Sequence, residues 1–379
     1  MADRSLLAVI LAAGEGTRMR SGRPKPLHRL CGRPMVLHVI DALGELDVDR
    51  AVVVVGFGAE RVMKALSEQA LGRPDLYFVE QAVQRGTGDA VSVALAGMPD
   101  VFGDDIDESD VLVLPGDTPL LRPATLAALV RAHRVADAAA TVLTARLDDP
   151  RGYGRVVRDA REGSAMGVCR IVEEGDATDE ERAIDEINTS IYCFRRSVLA
   201  PALRRLSPEN AQGEYYLTDT VAVLHDAGYA VGAVTLSDPT EAAGVNDRAQ
   251  LAAAEAELRD RTNERWMRRG VTMLDPERTI IDADVELGRD VTLFPGVMLQ
   301  GSTRIAEGAE IGPNSHIIDS AVGEHAWVSY SVCRSADIGA GARVGPFASL
   351  EPGARVAPGA VTGPFWQGTD GDADPVPQT

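Results

Sequence analysis

Over residues 1 to about 245, short aliphatic and β-branched runs alternate with stretches whose apolar positions recur at helical spacing, the pattern of a parallel sheet covered by helices. The clearest predicted strands are 7–11, 51–55 and 111–114. Each runs into glycine or a small polar turn: Gly14 and Gly16, Gly56 and Gly58, then Gly116 and Asp117. Ligands of open α/β sheets sit at the carboxyl ends of the strands, so these three turns are expected to share one cleft. Residues 248–269 are rich in Ala, Glu, Leu and Arg with no Gly or Pro, and read as one long connecting helix.

Beyond that helix the period changes to six. Ile281, Leu287, Leu293, Leu299, Ile305, Ile311 and Ile317 are all aliphatic, and the phase resumes at Ile338 and Val344 and runs on through Leu350 and Val356. This is the hexapeptide repeat of a parallel β-helix, in which each aliphatic residue points inward and stacks on the coil above. Residues 319–334 break the phase, although Val322 and Val328 keep six-residue spacing, so a looped or irregular coil is expected there. Phe365 and Trp366 are expected to cap the last coil, and the final residues, aperiodic and carrying Asp, Gly and Pro, to form a disordered tail. The expected division is 1–245, a connecting helix over 246–270, the β-helix over 271–362 and the tail over 363–379.

A length of 379 residues fits two domains, each able to bury a core. With 57 acidic against 38 basic residues the net charge is −19, which repels nucleic acid and anionic lipid, so neither is expected as a partner. An anionic substrate must then be held by local bases or a divalent cation. Four dispersed cysteines form no Cys-x-x-Cys pair, which excludes the usual zinc motifs and fits a reducing cytoplasm. The apolar run at 6–13 is too short to span a bilayer, and the Gly14, Gly16, Thr17 and Arg18 that follow read as strand then loop instead of a signal peptide.

The first predicted strand leads into Leu11-Ala12-Ala13-Gly14-Glu15-Gly16-Thr17-Arg18 and then Pro24-Lys25-Pro26. A dinucleotide fingerprint needs a third glycine where Met19 stands, and a Walker A loop needs a Gly-Lys-Ser/Thr that is absent. What remains is a small-residue loop whose amides can approach a nucleotide, followed by two cations, Arg18 and Lys25, suited to phosphate. Asp117 reads either as a metal ligand after a buried strand or as a cap for the helical pattern over 125–134.

That loop resembles the signature of sugar-1-phosphate nucleotidyltransferases, and the same order continues along the chain. Gln81-Ala82, Gly86-Thr87-Gly88-Asp89-Ala90, Pro115-Gly116-Asp117-Thr118-Pro119-Leu120, Asp149-Pro150-Arg151-Gly152-Tyr153-Gly154-Arg155, Glu173, Glu186-Ile187-Asn188, the run from Asn210 to Asp219 and Gly244-Val245-Asn246 follow in turn. With the hexapeptide repeats, the chain is similar to the bifunctional N-acetylglucosamine-1-phosphate uridylyltransferase/glucosamine-1-phosphate acetyltransferase family, over residues 6 to about 356. The resemblance implies an α/β fold: a Rossmann-like nucleotidyltransferase domain followed by a short left-handed parallel β-helix of hexapeptide repeats.

It implies further that Leu11, Ala12, Ala13, Gly14, Gln81, Gly86, Thr87 and Gly116 bind the nucleotide, with Lys25 and Arg18 on the triphosphate as the catalytic cations. Asp117 and Asn246 would ligate magnesium, and Gly154, Glu173 and Asn188 would hold the acceptor sugar. The implied substrates are UTP and a sugar 1-phosphate, and the implied assembly is a homotrimer through the β-helix. Magnesium takes a few hard oxygens from protein and the rest from phosphate and water, which one carboxylate and one amide oxygen suit.

Two departures matter. Ser190 stands two residues after the sugar-binding Asn188, where relatives tend to have glycine, so a different sugar phosphate or nucleotide stays open as an alternative. Leu350-Glu351-Pro352-Gly353 carries an acid where acetyl transfer in the family needs an arginine, and the last histidine is His325, so acetyltransferase activity is not expected. A catalytically inactive, sugar-nucleotide-binding regulatory subunit is the alternative from another class; Arg18, Lys25, Asp117 and Asn246 argue against it.

Overall fold

A computed structural model describes residues 4–69, 75–97, 109–159 and 167–369. The chain divides into two compact units, one of residues up to His28 with Pro34–Leu251, the other of Arg29–Arg33 with Ala252 onward.

The first unit is built on one nine-stranded sheet: β1 (Leu6–Ala12), β2 (Arg50–Val55), β3 (Leu76–Glu80), β4 (Asp110–Pro115), β5 (Ala140–Arg146), β6 (Arg155–Arg158), β7 (Val168–Val172), β8 (Glu186–Arg195) and β9 (Val231–Thr235). The strand order is β9-β5-β8-β4-β1-β2-β3, with β6 and β7 branching from β8. Neighbours along this path are parallel except β8, which runs antiparallel to both β4 and β5.

Continuous apolar runs form the central strands because both faces of the sheet are covered. The two-residue period then sorts each strand between two cores. Leu6, Ala8 and Ile10 of β1 join Ala51, Val53, Leu112 and Leu114 on one face, packed by helices Met35–Asp41, Ala59–Gln69 and Pro123–Val135. Leu7 and Val9 join Val52, Val54, Val111 and Val113 on the other, under helices Thr87–Ala96, Arg196–Leu203 and Asp219–Asp226. From β1 the chain moves outward through β2 and β3, then returns to place β4 on the opposite side of β1. That reversal opens a crevice at the carboxyl ends of β1 and β4.

The second unit is a left-handed parallel β-helix of three sheets with five, six and five strands, each strand two or three residues long. Leu293, Leu299, Ile305, Ile311, Ile317, Val328, Val344 and Leu350 are buried in one column-like core, as the six-residue period predicts. The coil over 319–334 is not a loop. Strands Ala321–Val322, Trp327–Val328 and Val332–Arg334 continue all three sheets. Phase is lost because the corners shorten: Leu287 pairs with Ile305 eighteen positions on, whereas Ile305 pairs with Val322 after seventeen and Ile317 with Cys333 after sixteen. Single left-handed residues, Asp319, His325, Tyr330 and Ser335, turn these tighter corners.

The expected tail is also corrected in part. Gln367–Gly368 forms a further strand paired with Ser349–Leu350, and Trp366 packs against the core, so ordered structure reaches beyond residue 362. Phe365 is no cap; it is 74% exposed and stacks on Phe347 at 5.2 Å, which in turn meets Tyr330 at 5.6 Å along one corner. Residues 370–379 lie outside the described residues.

The expected domain limits shift for a local reason. The unit boundary falls inside the long helix, observed as Arg248–Arg268, and the segment 29–33 belongs to the second unit. There the Cys31 amide donates to Glu255 Oε2 at 2.8 Å and its carbonyl accepts from Ala283 at 2.9 Å. Gly32 has φ +79°, and a Cβ on it would stand 2.3 Å from Asp282 Oδ2, so only glycine fits.

All three tryptophans, Trp266, Trp327 and Trp366, fall in the second unit, so their fluorescence reports on that unit. Ile311→Ala, at a fully buried position, is expected to cost about 2–5 kcal/mol of β-helix stability, read as a lower urea midpoint of tryptophan emission.

Candidate functional site

At the crevice between β1 and β4 the structure has a cavity of about 440 Å³. Leu11, Ala12, Ala13, Gly14, Lys25, Gln81, Gly86, Thr87, Gly116, Asp117, Asn188 and Asn246, all singled out from sequence, line it. The rest of that set lies just outside the lining. Arg18 reaches it through a 3.1 Å hydrogen bond to Asn246 Oδ1, and the Gly154 carbonyl accepts from the Asn188 amide at 2.8 Å. Glu173 sits behind Gly154, whose added Cβ would be 3.3 Å from Glu173 Oε2.

Backbone contacts fix the floor. The Gly116 amide donates to Leu11 O at 2.8 Å, and a Cβ on Gly116 would lie 3.0 Å from that same oxygen, so a side chain at 116 would press on this close contact of the two strand ends. The Val245 amide donates to Asp117 O at 2.9 Å, which brings Asn246 to the end of β4. Gly16 has φ +64°, and its α-carbon packs on the Lys25 side chain, where a Cβ would come within 2.7 Å. The turn thereby directs Lys25 inward.

Lys25 is the centre of a four-residue polar cluster. Its ammonium donates to Asp117 Oδ2 and, at 2.8 Å, to Asn246 Oδ1, the oxygen that also accepts from Arg18. Helix Pro123–Val135 takes Arg122 as its N-cap residue with no side-chain cap bond, so Asp117 does not serve as its cap. Two hard oxygens, one anionic and one neutral, thus bracket a single cation-sized position. That donor set fits a divalent ion completing its shell with phosphate and water. Among the described residues no cluster of three or more His, Cys, Asp or Glu could hold a metal by itself.

The opposite wall is set by Gly86, whose φ of 108° lets its α-carbon approach residues 214–215; a Cβ there would meet Tyr215 O at 2.6 Å. Gly88 N donates to that carbonyl at 2.8 Å, and Thr87 Oγ1 accepts from Leu217 N at 3.0 Å, leaving the hydroxyl hydrogen free to donate. Gln81 is nearly buried, its amide nitrogen donating to Asp89 Oδ2 at 2.8 Å and to Gly86 O at 3.2 Å. These are the polar groups of a pocket able to read a flat, hydrogen-bonding base.

At the far end, Asn188 is buried, donating to the Tyr192 hydroxyl at 2.8 Å and accepting from Ser190 N at 3.1 Å. Burial pushes the Glu173 carboxyl above the usual carboxylate range; the Thr218 hydroxyl, donating at 3.1 Å, opposes this, and Asp219 and Asp176 add to it. Burial and then Asp117 raise the Tyr153 phenol.

Sequence reasoning did not assign Gln84, Tyr153, Ser190, Glu214, Ala242 or Gly244, which also line the cavity. Tyr153 and Glu214 lay inside quoted motifs and could have been included. Gln84 and Ala242 carried no local signal, since only the tertiary fold brings their loops to the strand ends.

A sheet that reverses at β1/β4, a glycine loop and a cluster of bases and hard oxygens at the strand ends define a nucleotidyltransferase. Residues 8–268 match the model of the MobA-like NTP transferase domain. The chain is 48% identical over 339 residues to the bifunctional protein GlmU of Thermobifida fusca, covering 89% of this chain and 68% of that protein. It is 44% identical to the GlmU of Heliobacterium modesticaldum, covering 94% and 75%, and 45% identical to that of Streptomyces avermitilis, covering 96% and 73%. The chain belongs to the GlmU family. Among the described residues no helix is long and apolar enough to cross a membrane.

Because the folded pKa of Glu173 is raised, burying its charge costs stability above that value, and the cost vanishes once pH falls below the ordinary carboxyl pKa of about 4.3, where both states are protonated. Glu173→Gln is therefore expected to raise the thermal midpoint at pH 8 relative to the parent chain, with the difference closing at pH 4, as calorimetry at the two pH values would show.

Proposed function

We propose that this chain catalyses uridylyl transfer from UTP to N-acetylglucosamine 1-phosphate, giving UDP-N-acetylglucosamine and pyrophosphate, with magnesium as cofactor. The observation that supports this most is the convergence of Arg18, Lys25, Asp117 and Asn246 beside the glycine loop of one cavity. In an acidic chain this is a place where triphosphate charge can be met.

The acceptor phosphate is largely ionised at neutral pH, its second pKa being about 6, so no general base is needed. One of its oxygens attacks the α-phosphorus of UTP, forming the new P–O bond as the bond from the α-phosphorus to the bridging oxygen of pyrophosphate breaks. Lys25 and Arg18 neutralise the triphosphate and align it for in-line displacement. Magnesium, when bound, would supply further charge compensation on the phosphates, held by Asp117 and Asn246. The loop from Leu11 to Gly14, with Gln81, Gly86, Thr87 and Gly116, holds uracil and ribose. Asn188, Glu173 and Gly154 hold the acceptor sugar.

The same reading assigns no acetyl transfer to this 379-residue chain. Glu351 places an anion, hydrogen-bonded by Ser349 Oγ at 3.1 Å, where a substrate phosphate needs a cation. Assembly as a homotrimer through the β-helix rests on the family resemblance, and a cytoplasmic location is in keeping with four unpaired cysteines.

Purified chain supplied with UTP, N-acetylglucosamine 1-phosphate and magnesium is expected to release pyrophosphate; turnover confined to another nucleotide or sugar phosphate would refute the assignment. Asp117→Ala should cut that turnover at least ~100-fold at ordinary magnesium concentrations, the scale of several kcal/mol of lost charge compensation. Near-normal activity in a folded variant would remove Asp117 from the site. Incubation with acetyl-coenzyme A and glucosamine 1-phosphate is expected to liberate no thiol above background.

A further inference from the structure

Ser190 is one of the cavity's lining residues to which the proposed chemistry gives no task. Three features of the backbone and side chain mark it. Strand β8 loses register with β5 between Asn188 and Tyr192, an irregularity that places residue 190 out of the ladder. Its φ is +61°, in the left-handed region that favours glycine. The side chain is exposed and lines the same cavity as Asn188, Tyr153 and Gly152.

The other non-glycine residues with positive φ all lie outside the cavity. Among the described residues, Ser190 alone combines a positive φ, a side chain and a place on the cavity wall. A bulge re-aims a side chain, and a backbone strained at a ligand cleft is the usual sign that the side chain has work there. The Ser190 amide is already used, donating to Asn188 Oδ1 at 3.1 Å and fixing that amide for the acceptor. Glycine would make the same backbone bond without strain, so the bond does not explain the serine. The hydroxyl, which has no hydrogen-bond partner among the described residues, is what a serine supplies here and a glycine would not.

We propose that the Ser190 hydroxyl is a specificity determinant that hydrogen-bonds a hydroxyl of the acceptor pyranose, strengthening binding of the sugar 1-phosphate without touching the nucleotide. The inference rests on the assignment of the Asn188 end of the cavity to the acceptor. A neighbouring pair, Asn188 and Ser190, would then read adjacent positions of one sugar ring, the amide through its fixed orientation and the hydroxyl as donor or acceptor.

Two variants test this, with the acceptor being whichever sugar 1-phosphate the parent chain turns over, so that a wrong sugar assignment is scored separately. Ser190→Gly removes both the hydroxyl and the strain, whereas Ser190→Ala removes the hydroxyl and keeps a Cβ at positive φ. Both are expected to raise the KM for the acceptor about fivefold, the worth of one neutral hydrogen bond, while the KM for UTP stays within experimental error. Ser190→Gly should in addition raise the thermal midpoint by a few degrees, about what relief of one strained residue gives in a domain of this size, and Ser190→Ala should not. Deoxy analogues of the acceptor then locate the partner: the analogue lacking that hydroxyl should show the same KM with the parent chain and with Ser190→Ala. An unchanged acceptor KM in both variants, or equal changes in the KM for acceptor and for UTP, would overturn the proposal and leave Ser190 a tolerated surface residue.

Discussion

Holding a polyanion inside a chain with 57 acids and 38 bases is the constraint on which the arrangement of this molecule turns. The fold meets it by keeping Lys25 pointed at the ends of β1 and β4, where its ammonium donates to Asp117 and Asn246. A triphosphate with its metal can take over both sides of that cluster, the phosphates pairing with the bases and the metal with the two oxygens. Backbone contacts hold the segments that carry this cluster: Gly16 behind Lys25, Val245 bonded to Asp117 O, and Gly116, next to Asp117, against Leu11.

The sheet makes that cluster possible. Parallel strands β1, β2 and β4 are buried on both faces, so their carboxyl ends are rigid and their loops begin from fixed points. The antiparallel β8 enters next to β4 and carries Asn188 and Ser190 into the same cavity from the other direction. On the proposed reading, the donor and acceptor halves of the reaction would be presented by strands of opposite sense in a single sheet, which would hold both substrates in one frame and lower the entropic cost of bringing them together.

Much of this was legible in sequence. The strands β1, β2 and β4 were readable because burial on two faces leaves no polar position to interrupt the apolar run, and the β-helix because an inward residue recurs at every sixth position. Arg18 and Lys25 were legible as phosphate-suited cations and Asp117 as one of two readings, whereas Asn246 entered through the family resemblance; the structure brings all four together. What escaped had tertiary causes. The coil over 319–334 hid behind corners one or two residues shorter than its neighbours, and strand Gln367–Gly368 behind a glycine in place of the aliphatic residue. Residues 29–33 belong to the second unit through bonds to Glu255 and Ala283, contacts that no local pattern announces. The cavity wall at Gln84 and Ala242 is likewise assembled from loops distant in sequence.

The most direct test of the account is a crystal structure of the chain with magnesium, a non-hydrolysable UTP analogue and the acceptor sugar phosphate. The account predicts a metal ion bonded to Asp117 and Asn246, with the Lys25 ammonium transferred from those oxygens to the phosphates and the base lying between the Leu11–Gly14 loop and Gln81. A triphosphate bound elsewhere, or bound here with Lys25 still paired to Asp117 and the metal ligated by other residues, would contradict it.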